Sequence, residues 1–213
     1  MNGHVVRWAG RYDLLVWLMT YGRERHFRER LIAPAKLRAG EAVLDVGCGT
    51  GTLAILAKAH VGAAGRVHGV DASPEMIARA TMKARKKHAD VAFEEALAQA
   101  LPFPDATFDV VLSTVMLHHL RRAVRQDAMR EMRRVLTPGG RLLAVDFCGA
   151  TSTRRGPLAH FHPHGHVEPR VLEDLVRSAG FEITVSGAIG TWDLHYVIGT
   201  VVVTAEAPSL RSG

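Results

Sequence analysis

The pattern of apolar and polar positions alternates short apolar runs with longer segments of helical periodicity. Seven runs rich in β-branched and other apolar residues predict strands; they are Ala42–Val46, Arg66–Val70, Val91–Glu94, Phe108–Ser113, Arg141–Phe147, Phe181–Val185 and His195–Thr204. Four helical patterns lie between them, at Gly51–His60, Pro74–His88, Arg121–Leu136 and Pro169–Ala179. Strands that alternate with helices are typical of a doubly wound, mostly parallel sheet with helices on both faces. We therefore expect an α/β fold with a seven-stranded sheet.

Turn and capping residues set the limits of these elements. Ser73 precedes Pro74, which places a capping side chain before a proline at the first helical position. The segment Thr137–Gly140 predicts the end of a helix at Leu136 and a turn into the next strand. Ahead of the first strand, Tyr12–Ile32 predicts one or two helices that cap the carboxyl edge of the sheet.

A chain of 213 residues fits one domain better than two. We expect a single domain over residues 1–213. Within it, residues 1–40 form the N-terminal helical cap and 41–148 the cofactor-binding core. Residues 149–213 supply a substrate-side loop, a helix and the last strands.

Composition narrows the class of protein. The chain is 47% hydrophobic and 23% charged, as in globular domains. It has only two cysteines, Cys48 and Cys148, which argues against a disulfide framework and favours a reducing cytoplasm. Its apolar runs are too short to span a bilayer, so we expect a cytoplasmic protein.

The net charge of +6 raises the question of an anionic partner. The basic residues are scattered and carry no interleaved aromatics, so solvated helix faces are favoured and nucleic acid is not. The cluster Arg23–Arg30, with Trp8 and Trp17 nearby, keeps open a peripheral contact with an anionic membrane.

The strongest chemical signal is a glycine-rich turn after the first predicted strand. The strand Val43–Val46 runs directly into Gly47, Gly49 and Gly51, and a helix follows. Glycine lets a ligand approach the backbone and adopts positive φ freely. Dinucleotide-binding proteins also carry such a turn, but their fingerprint needs a glycine where this chain has Thr52.

The acids beside this turn indicate the charge of the ligand. Asp45 precedes the first glycine, and a carboxylate there repels a pyrophosphate. It suits a ligand with an ammonium group and no phosphate, and S-adenosylmethionine has an ammonium, a sulfonium and no phosphate. Asp71 closes the second strand, where an acid accepts hydrogen bonds from ribose hydroxyls in such sheets. The alternative for Asp71 is a partner for the following helix N-terminus.

Over nearly its whole length the chain resembles the class I S-adenosylmethionine-dependent methyltransferases, which have a Rossmann-like fold. The landmarks of this resemblance are Val43–Gly51, Val70–Ile77, Leu101–Asp105, Phe108–Val111, Leu117–Leu120 and Glu131–Arg141. Tyr12-Asp13-Leu14 and Arg28 further resemble the ubiquinone/menaquinone C-methyltransferases and the related phospholipid N-methyltransferases.

The resemblance implies roles for individual residues. The turn would hold the methionine part of the cofactor, Asp71 the ribose, and Ser113 and Val115 the methionine end. Leu97 stands where the family has an Asp that receives the adenine amino group. Gln99 or Glu95 would then substitute, or backbone groups and stacking would suffice. The full set of cofactor-binding residues expected in this way is Tyr12, Asp45, Gly47, Cys48, Gly49, Thr50, Gly51, Asp71, Ala72, Met76, Leu97, Ala98, Ser113 and Val115.

Histidines supply the candidate acceptor-side chemistry. His118 and His119 follow the fourth strand at the carboxyl edge, where a histidine can act as a base near neutral pH, and they are our candidate catalytic residues. A structural role in packing is the alternative. The loop His160–His166 carries four histidines; we expect a substrate-facing lid or a surface loop, and no metal site.

Methyl transfer needs in-line placement and exclusion of water, and a base only when the acceptor must lose a proton. The apolar segment Ser113–Met116 replaces the Asn/Asp-Pro-Pro-aromatic turn of the amino-group methyltransferases. We therefore predict methyl transfer from S-adenosylmethionine to a small, apolar or lipid-like acceptor. The alternatives are an RNA or protein methyltransferase and a cofactor-binding protein without catalysis. The sequence gives no prediction of the oligomeric state.

Overall fold

The structure, a computed structural model, describes residues 24–148, 169–191 and 193–202. Within these residues the helices are α1 (Glu24–Ile32), α2 (Thr52–Val61), α3 (Pro74–Lys86), α4 (Arg122–Arg134) and α5 (Pro169–Ser178), with 3-10 turns at Ala33–Ala35 and Leu117–His119. The strands are β1 (Ala42–Val46), β2 (Arg66–Asp71), β3 (Ala92–Glu95), β4 (Phe108–Thr114), β5 (Leu136–Phe147), β6 (Glu182–Ala188) and β7 (Leu194–Thr200).

The seven strands form one sheet in the order β3-β2-β1-β4-β5-β7-β6. Strands β1 to β5 are mutually parallel, and β7 pairs antiparallel with both β5 and β6. The chain moves outward in one direction from β1 to β3 and then returns to β4 on the other side of β1. This reversal opens a crevice at the carboxyl ends of β1 and β4, which is where open α/β sheets bind ligands. The Rossmann-like α/β prediction is confirmed.

Two apolar cores lie on opposite faces of the sheet. On one face α1 and α2 cover residues such as Val43, Leu112 and Val145. On the other face α4 and α5 cover residues such as Leu44, Val111 and Leu142. Because successive residues of a strand point to opposite faces, each central strand contributes to both cores, and both faces of β1 are fully buried.

Most element limits agree with the sequence prediction within a few residues, and α3 begins as predicted. The Ser73 hydroxyl accepts a hydrogen bond from the Met76 N–H at 3.4 Å, and Pro74 occupies the first helical turn. Of the predicted leading helices, the structure shows α1, while residues 12–23 lie outside the described part. The division of the chain at residues 40 and 148 stays a prediction.

The prediction was wrong at Thr137–Gly140, which is not simply a turn between helix and strand. Helix α4 ends at Arg134, and β5 already begins at Leu136. Leu136 pairs with Phe108, the register then shifts, and Arg141 pairs with Val110. The Pro-Gly-Gly segment is therefore an interruption within a longer strand. The buried Leu136 side chain favours early pairing, and Gly139 takes the positive φ of 78° that the bulge needs.

Candidate functional site

The glycine turn after β1 is tied to the neighbouring strand β2. The N–H groups of Gly47 and Cys48 both donate to the carbonyl of Val70, at 2.8 and 2.9 Å. Gly47, Gly49 and Gly51 all have positive φ, at 75°, 53° and 74°. A Cβ on Gly47 would stand 2.3 Å from Met116 Cγ, whereas a Cβ on Gly49 would meet nothing within 4 Å. Gly49 therefore borders open space, and Gly47 is required for packing.

The open space beside Gly49 is a depression of about 370 Å³, part of it open to solvent. Its walls come from α1, from the β1 turn with the start of α2, and from the end of β4. The lining residues are Arg28, Asp45, Gly47, Cys48, Gly49, Thr50, Thr52, Leu53, Thr114 and Val115. Six of these were predicted from the sequence as cofactor-binding residues.

Asp45 is the acid of this depression, and it is almost completely buried at 1% exposure. Burial raises the pKa of its carboxyl from 3.8 to about 7; Arg28 and a hydrogen bond from the Ala54 N–H oppose this shift, and the nearby Asp71 adds to it. Its Oδ2 atom has no hydrogen-bond partner among the described residues. A buried carboxylate oxygen without a partner is costly unless a ligand supplies a donor or a positive charge.

Arg28 reaches the same depression from α1; it is one of the residues that carry the family resemblance, but it was not among the predicted cofactor-binding residues. Its side chain is 12% exposed and its Nη2 lies 3.5 Å from Oε1 of Glu24. Its Nε is buried without a hydrogen-bond partner among the described residues. A guanidinium here would complement a carboxylate on the ligand. Asp45 and Arg28 thus offer a negative and a positive group to one ligand.

Asp71 ends β2 and braces the glycine turn. Its Oδ2 accepts from the Gly49 N–H and its Oδ1 from the Ser73 N–H, each at 2.9 Å. Burial raises the pKa of this carboxyl, and the two backbone hydrogen bonds oppose the rise. Each carboxylate oxygen still has a second lone pair, so hydroxyl donors can bind without displacing the backbone.

The residues predicted for the adenine lie beyond Asp71 along the same edge. The Ala96 N–H donates to the Asp71 carbonyl at 3.1 Å, which brings the segment that contains Leu97 and Ala98 beside the β2 end. Leu97 is 51% exposed, Met76 is buried and Ala72 is exposed. Glu95 on β3 is the register neighbour of Asp71, the candidate for binding the ribose.

Ser113 does not reach the depression. It is completely buried within β4, and its hydroxyl has no partner among the described residues. The next residue, Thr114, lines the depression instead, because neighbouring strand residues face opposite sides. Val115 also lines it and has φ of 54°, a strained conformation for a β-branched residue that is typical of functional edges. Tyr12 and the loop His160–His166 lie outside the described residues.

The two candidate catalytic histidines form a 3-10 turn directly after this edge. His118 Nδ1 lies 2.7 Å from Oδ1 of Asp146, which is completely buried near the end of β5. The His119 ring is exposed and lies 3.9 Å from the His118 ring, measured between centroids. Sequence reasoning missed Asp146, although a single acid at the end of an apolar strand is the same signal that identified Asp45.

The described part of the chain contains neither a metal-ligand cluster nor a helix that could span a membrane. No group of three or more His, Cys, Asp or Glu side chains could hold a metal ion there. None of its helices is both long and apolar enough to cross a bilayer. Both cysteines are buried free thiols.

Comparison with known proteins agrees with this geometry. The family model described as methyltransferase domain matches residues 43–140. The demethylmenaquinone methyltransferase of Thermus thermophilus is 41% identical over 139 residues, which cover 65% of this chain and 62% of that protein. The ubiquinone/menaquinone biosynthesis C-methyltransferase UbiE of Cronobacter sakazakii is 35% identical over 176 residues, covering 81% of this chain and 68% of that protein. The chain thus spans about two thirds of the length of these relatives, or slightly less.

Solved structures match the fold. A methyltransferase from Aquifex aeolicus, described as S-adenosylmethionine-dependent, superposes with a TM-score of 0.71 at 23% identity, covering 82% of this chain and 89% of that one. The cofactor of this family is S-adenosylmethionine, and the residues present fit it: a buried carboxylate with one oxygen unpartnered among the described residues, a guanidinium and an open glycine backbone. The chain belongs to the class I S-adenosylmethionine-dependent methyltransferase family and resembles its ubiquinone/menaquinone C-methyltransferases.

Proposed function

We propose that this chain transfers the methyl group of S-adenosylmethionine to a ring carbon of a reduced, lipid-like quinone. The observation that carries the proposal is the depression beside Gly49, where the buried Asp45 and Arg28 offer opposite charges. The quinone-type acceptor is supported by the names of the relatives, a demethylmenaquinone methyltransferase and a ubiquinone/menaquinone C-methyltransferase.

In this proposal the cofactor's amino acid part binds between two charges. Asp45 accepts from the ammonium group, and Arg28 donates to the carboxylate. Asp71 accepts from the ribose hydroxyls while it keeps the Gly49 N–H in place. When bound, the cofactor supplies an electrophilic methyl group on a sulfonium. The chain's own contribution is to orient that group and exclude water around it.

The acceptor side of the crevice supports an apolar substrate. After β4 the chain continues through Val115, Met116 and Leu117, of which Leu117 is fully buried and Met116 packs against Gly47. Val115 is the apolar group that this segment contributes to the lining of the depression, and an aromatic ring gains more from contact with it than a charged or amino nucleophile does.

We infer that a substrate with an isoprenoid tail is collected at the surface of an anionic membrane from the cytoplasmic side. Arg25, with 89% of its side chain exposed, lies on α1, the helix whose Arg28 lines the depression, and its charge is available to anionic lipid. Vesicles with anionic lipid should then bind the chain more tightly than neutral vesicles, and added salt should weaken that binding.

The test uses the purified chain, S-adenosylmethionine with a deuterated methyl group, and a demethylmenaquinol with one isoprene unit kept reduced by dithionite. We expect a product heavier by one deuterated methyl group on the naphthalene ring, by mass spectrometry and NMR. Gly49→Val, which fills the depression, should abolish both cofactor binding and product. Label appearing on RNA or protein from a cell extract, with none on the quinol, would contradict the proposal.

A further inference from the structure

The carboxylate of Asp146 is held in one orientation by the backbone around it. It is completely buried. Its Oδ2 accepts from the His118 N–H at 2.9 Å, and its Oδ1 accepts from the Phe147 N–H at 2.7 Å. Two charge-assisted hydrogen bonds of this length leave the carboxylate little freedom. Its remaining short contact is with the imidazole of His118.

That contact fixes which nitrogen of His118 carries the proton. Nδ1 lies 2.7 Å from Oδ1 of Asp146. A carboxylate accepts and cannot donate, so Nδ1 donates to it, and the neutral ring carries its free lone pair on Nε2. A histidine arranged in this way is a base that is oriented before substrate arrives, the arrangement on which histidine-carboxylate pairs rely in acyl-transfer enzymes.

The surroundings of His118 keep the imidazole in place. Leu117, 1% exposed, anchors the 3-10 turn in the core. Arg125 donates to the carbonyls of Leu120 and His118, at 2.8 and 3.3 Å. The edge of the Phe147 ring stands 5.3 Å away, and the His118 side chain is 11% exposed. The ring is thus shielded on several sides, and a small part of it stays exposed.

The turn that carries this base follows directly on the segment that lines the depression. Thr114 and Val115 line that depression, and the 3-10 turn Leu117–His119 follows immediately. Val115 is itself held by β5, since its N–H donates to the carbonyl of Val145 at 2.8 Å. The turn that carries His118 and the strand that carries Asp146 are therefore fixed to each other at the edge of the site.

From this geometry we infer that His118 removes the proton from an aromatic hydroxyl of the acceptor, and that Asp146 is its positioning residue. The inference rests on the proposed function. The O–H electron pair is released into the ring as the proton moves to Nε2. A ring carbon then attacks the methyl carbon, and the carbon–sulfur bond breaks to give S-adenosylhomocysteine. Loss of the ring C–H proton to water, and return of the proton from His118 to the oxygen, restore the hydroquinone, so one proton is released overall and no oxidant is needed.

Other ionisable groups surround the pair. The His119 ring lies against the His118 ring at an interplanar angle of 46°, and Arg125 donates to the carbonyl of His118. His195 on β7 is the cross-strand neighbour of Asp146. Burial lowers the pKa of His195, and Glu173 on α5 opposes this. A pH profile must therefore be compared with variants of His118 itself and not interpreted alone.

The first experiment tests the proton position without turnover. Nitrogen-15 spectra of the histidine rings, assigned by comparison with His118→Gln, should show His118 protonated on Nδ1. Asp146→Asn should change that tautomer while S-adenosylmethionine still binds with its affinity within about threefold. A His118 ring protonated on Nε2 in the wild-type chain would overturn the inference.

The second experiment measures turnover of the one-isoprene demethylmenaquinol. For His118→Gln we expect kcat to fall about 10²- to 10⁴-fold, the range for loss of a general base, with KM unchanged. Its residual rate should rise with pH as the phenol ionises near its usual pKa of about 10, and added imidazole should restore part of it. His60→Gln, an exposed histidine at the end of α2, is the matched control and should match wild type.

The possible failures are distinguishable. A wild-type chain that binds the cofactor but leaves the quinol unmethylated would overturn the proposed function. If the wild-type chain methylates the quinol and His118→Gln is equally fast, only the role given to His118 is overturned. The same holds if His119→Gln is the slow variant instead. Loss of rate in Asp146→Asn with the tautomer unchanged would remove Asp146 as the positioning residue.

Discussion

Replacing Asp45 with Asn should make the protein more stable while it loses its cofactor. The buried carboxyl has its pKa raised from 3.8 to about 7. Since a tenfold change in proton affinity corresponds to about 1.4 kcal/mol, the ionised form costs about 4 kcal/mol of folding free energy. Asn removes this cost, but its amide leaves hydrogen bonds partly unmade, which offsets about 1–3 kcal/mol. The net gain expected at pH 8 is about 1–3 kcal/mol.

The sign of the effect with pH follows from the two pKa values. Between pH 4 and 7 the folded state holds the Asp45 proton and the unfolded chain has released it, so the carboxyl's contribution to stability decreases as pH rises. Since the loss of hydrogen bonds does not depend on pH, Asp45→Asn should be less stable than wild type near pH 4, by about 1–3 kcal/mol. It should become the more stable of the two as pH rises to about 7, and the difference should stay constant above that pH. Urea unfolding at pH 5 and pH 8, with unchanged denaturant slope, measures this difference.

Glu41 provides the matched control, because it is a carboxylate beside the same strand with the opposite shift. Burial tends to raise its pKa, but hydrogen bonds from Arg141 and from the Arg38 N–H lower it overall. Glu41→Gln should thus destabilise the protein at pH 8 and lose that effect as pH falls.

For the cofactor, calorimetry at pH 8 should show affinity reduced about 10- to 100-fold in Asp45→Asn, the value of a charged hydrogen bond. Unchanged affinity, or a variant less stable than wild type at pH 8, would refute the assignment of Asp45.

Two further predictions concern the same depression. Arg28→Gln should weaken S-adenosylmethionine binding about 10- to 100-fold. It should leave the binding of 5′-methylthioadenosine, which has no amino acid part, unaffected. Arg25→Gln on the exposed side of α1 is the control, and an equal loss of affinity for both ligands in calorimetry would contradict the carboxylate contact. Gly47→Ala should cost about 2–4 kcal/mol in urea unfolding, because its Cβ would stand 2.3 Å from Met116 Cγ at a positive φ. Gly49→Ala, which meets nothing, should cost only the backbone strain of about 1–2 kcal/mol; equal costs for the two glycines, or no recovery of Gly47→Ala by Met116→Ala, would count against the packing described.

The alternation of strands and helices was predictable because both periodicities are local. The approach of Asp45, the glycines and Asp71 to one another was predictable as well, since all of them lie within two β–α units. The sequence pattern identified an irregular segment at Thr137–Gly140, but not that this segment lies within strand β5. Whether such a segment ends a helix or interrupts a strand depends on Leu136 pairing with Phe108, a contact between different strands.

The parts of the site that sequence reasoning missed are those that depend on tertiary packing. Arg28 enters the depression only because α1 packs on α2 and turns that side of the helix inward. Asp146 carried a readable signal, an acid in an otherwise apolar strand, but its partner could not be inferred. Its pairing with His118 depends on how far the turn after β4 reaches over β5.

The bond from the Gly49 N–H to Asp71 makes one carboxylate common to both ends of the ligand. A nucleoside that engages Asp71 also stiffens the loop against which the amino acid end must fit. Adenosine and methionine offered together as separate fragments should consequently bind with positive cooperativity, and the linked molecule should gain affinity beyond what tethering alone provides.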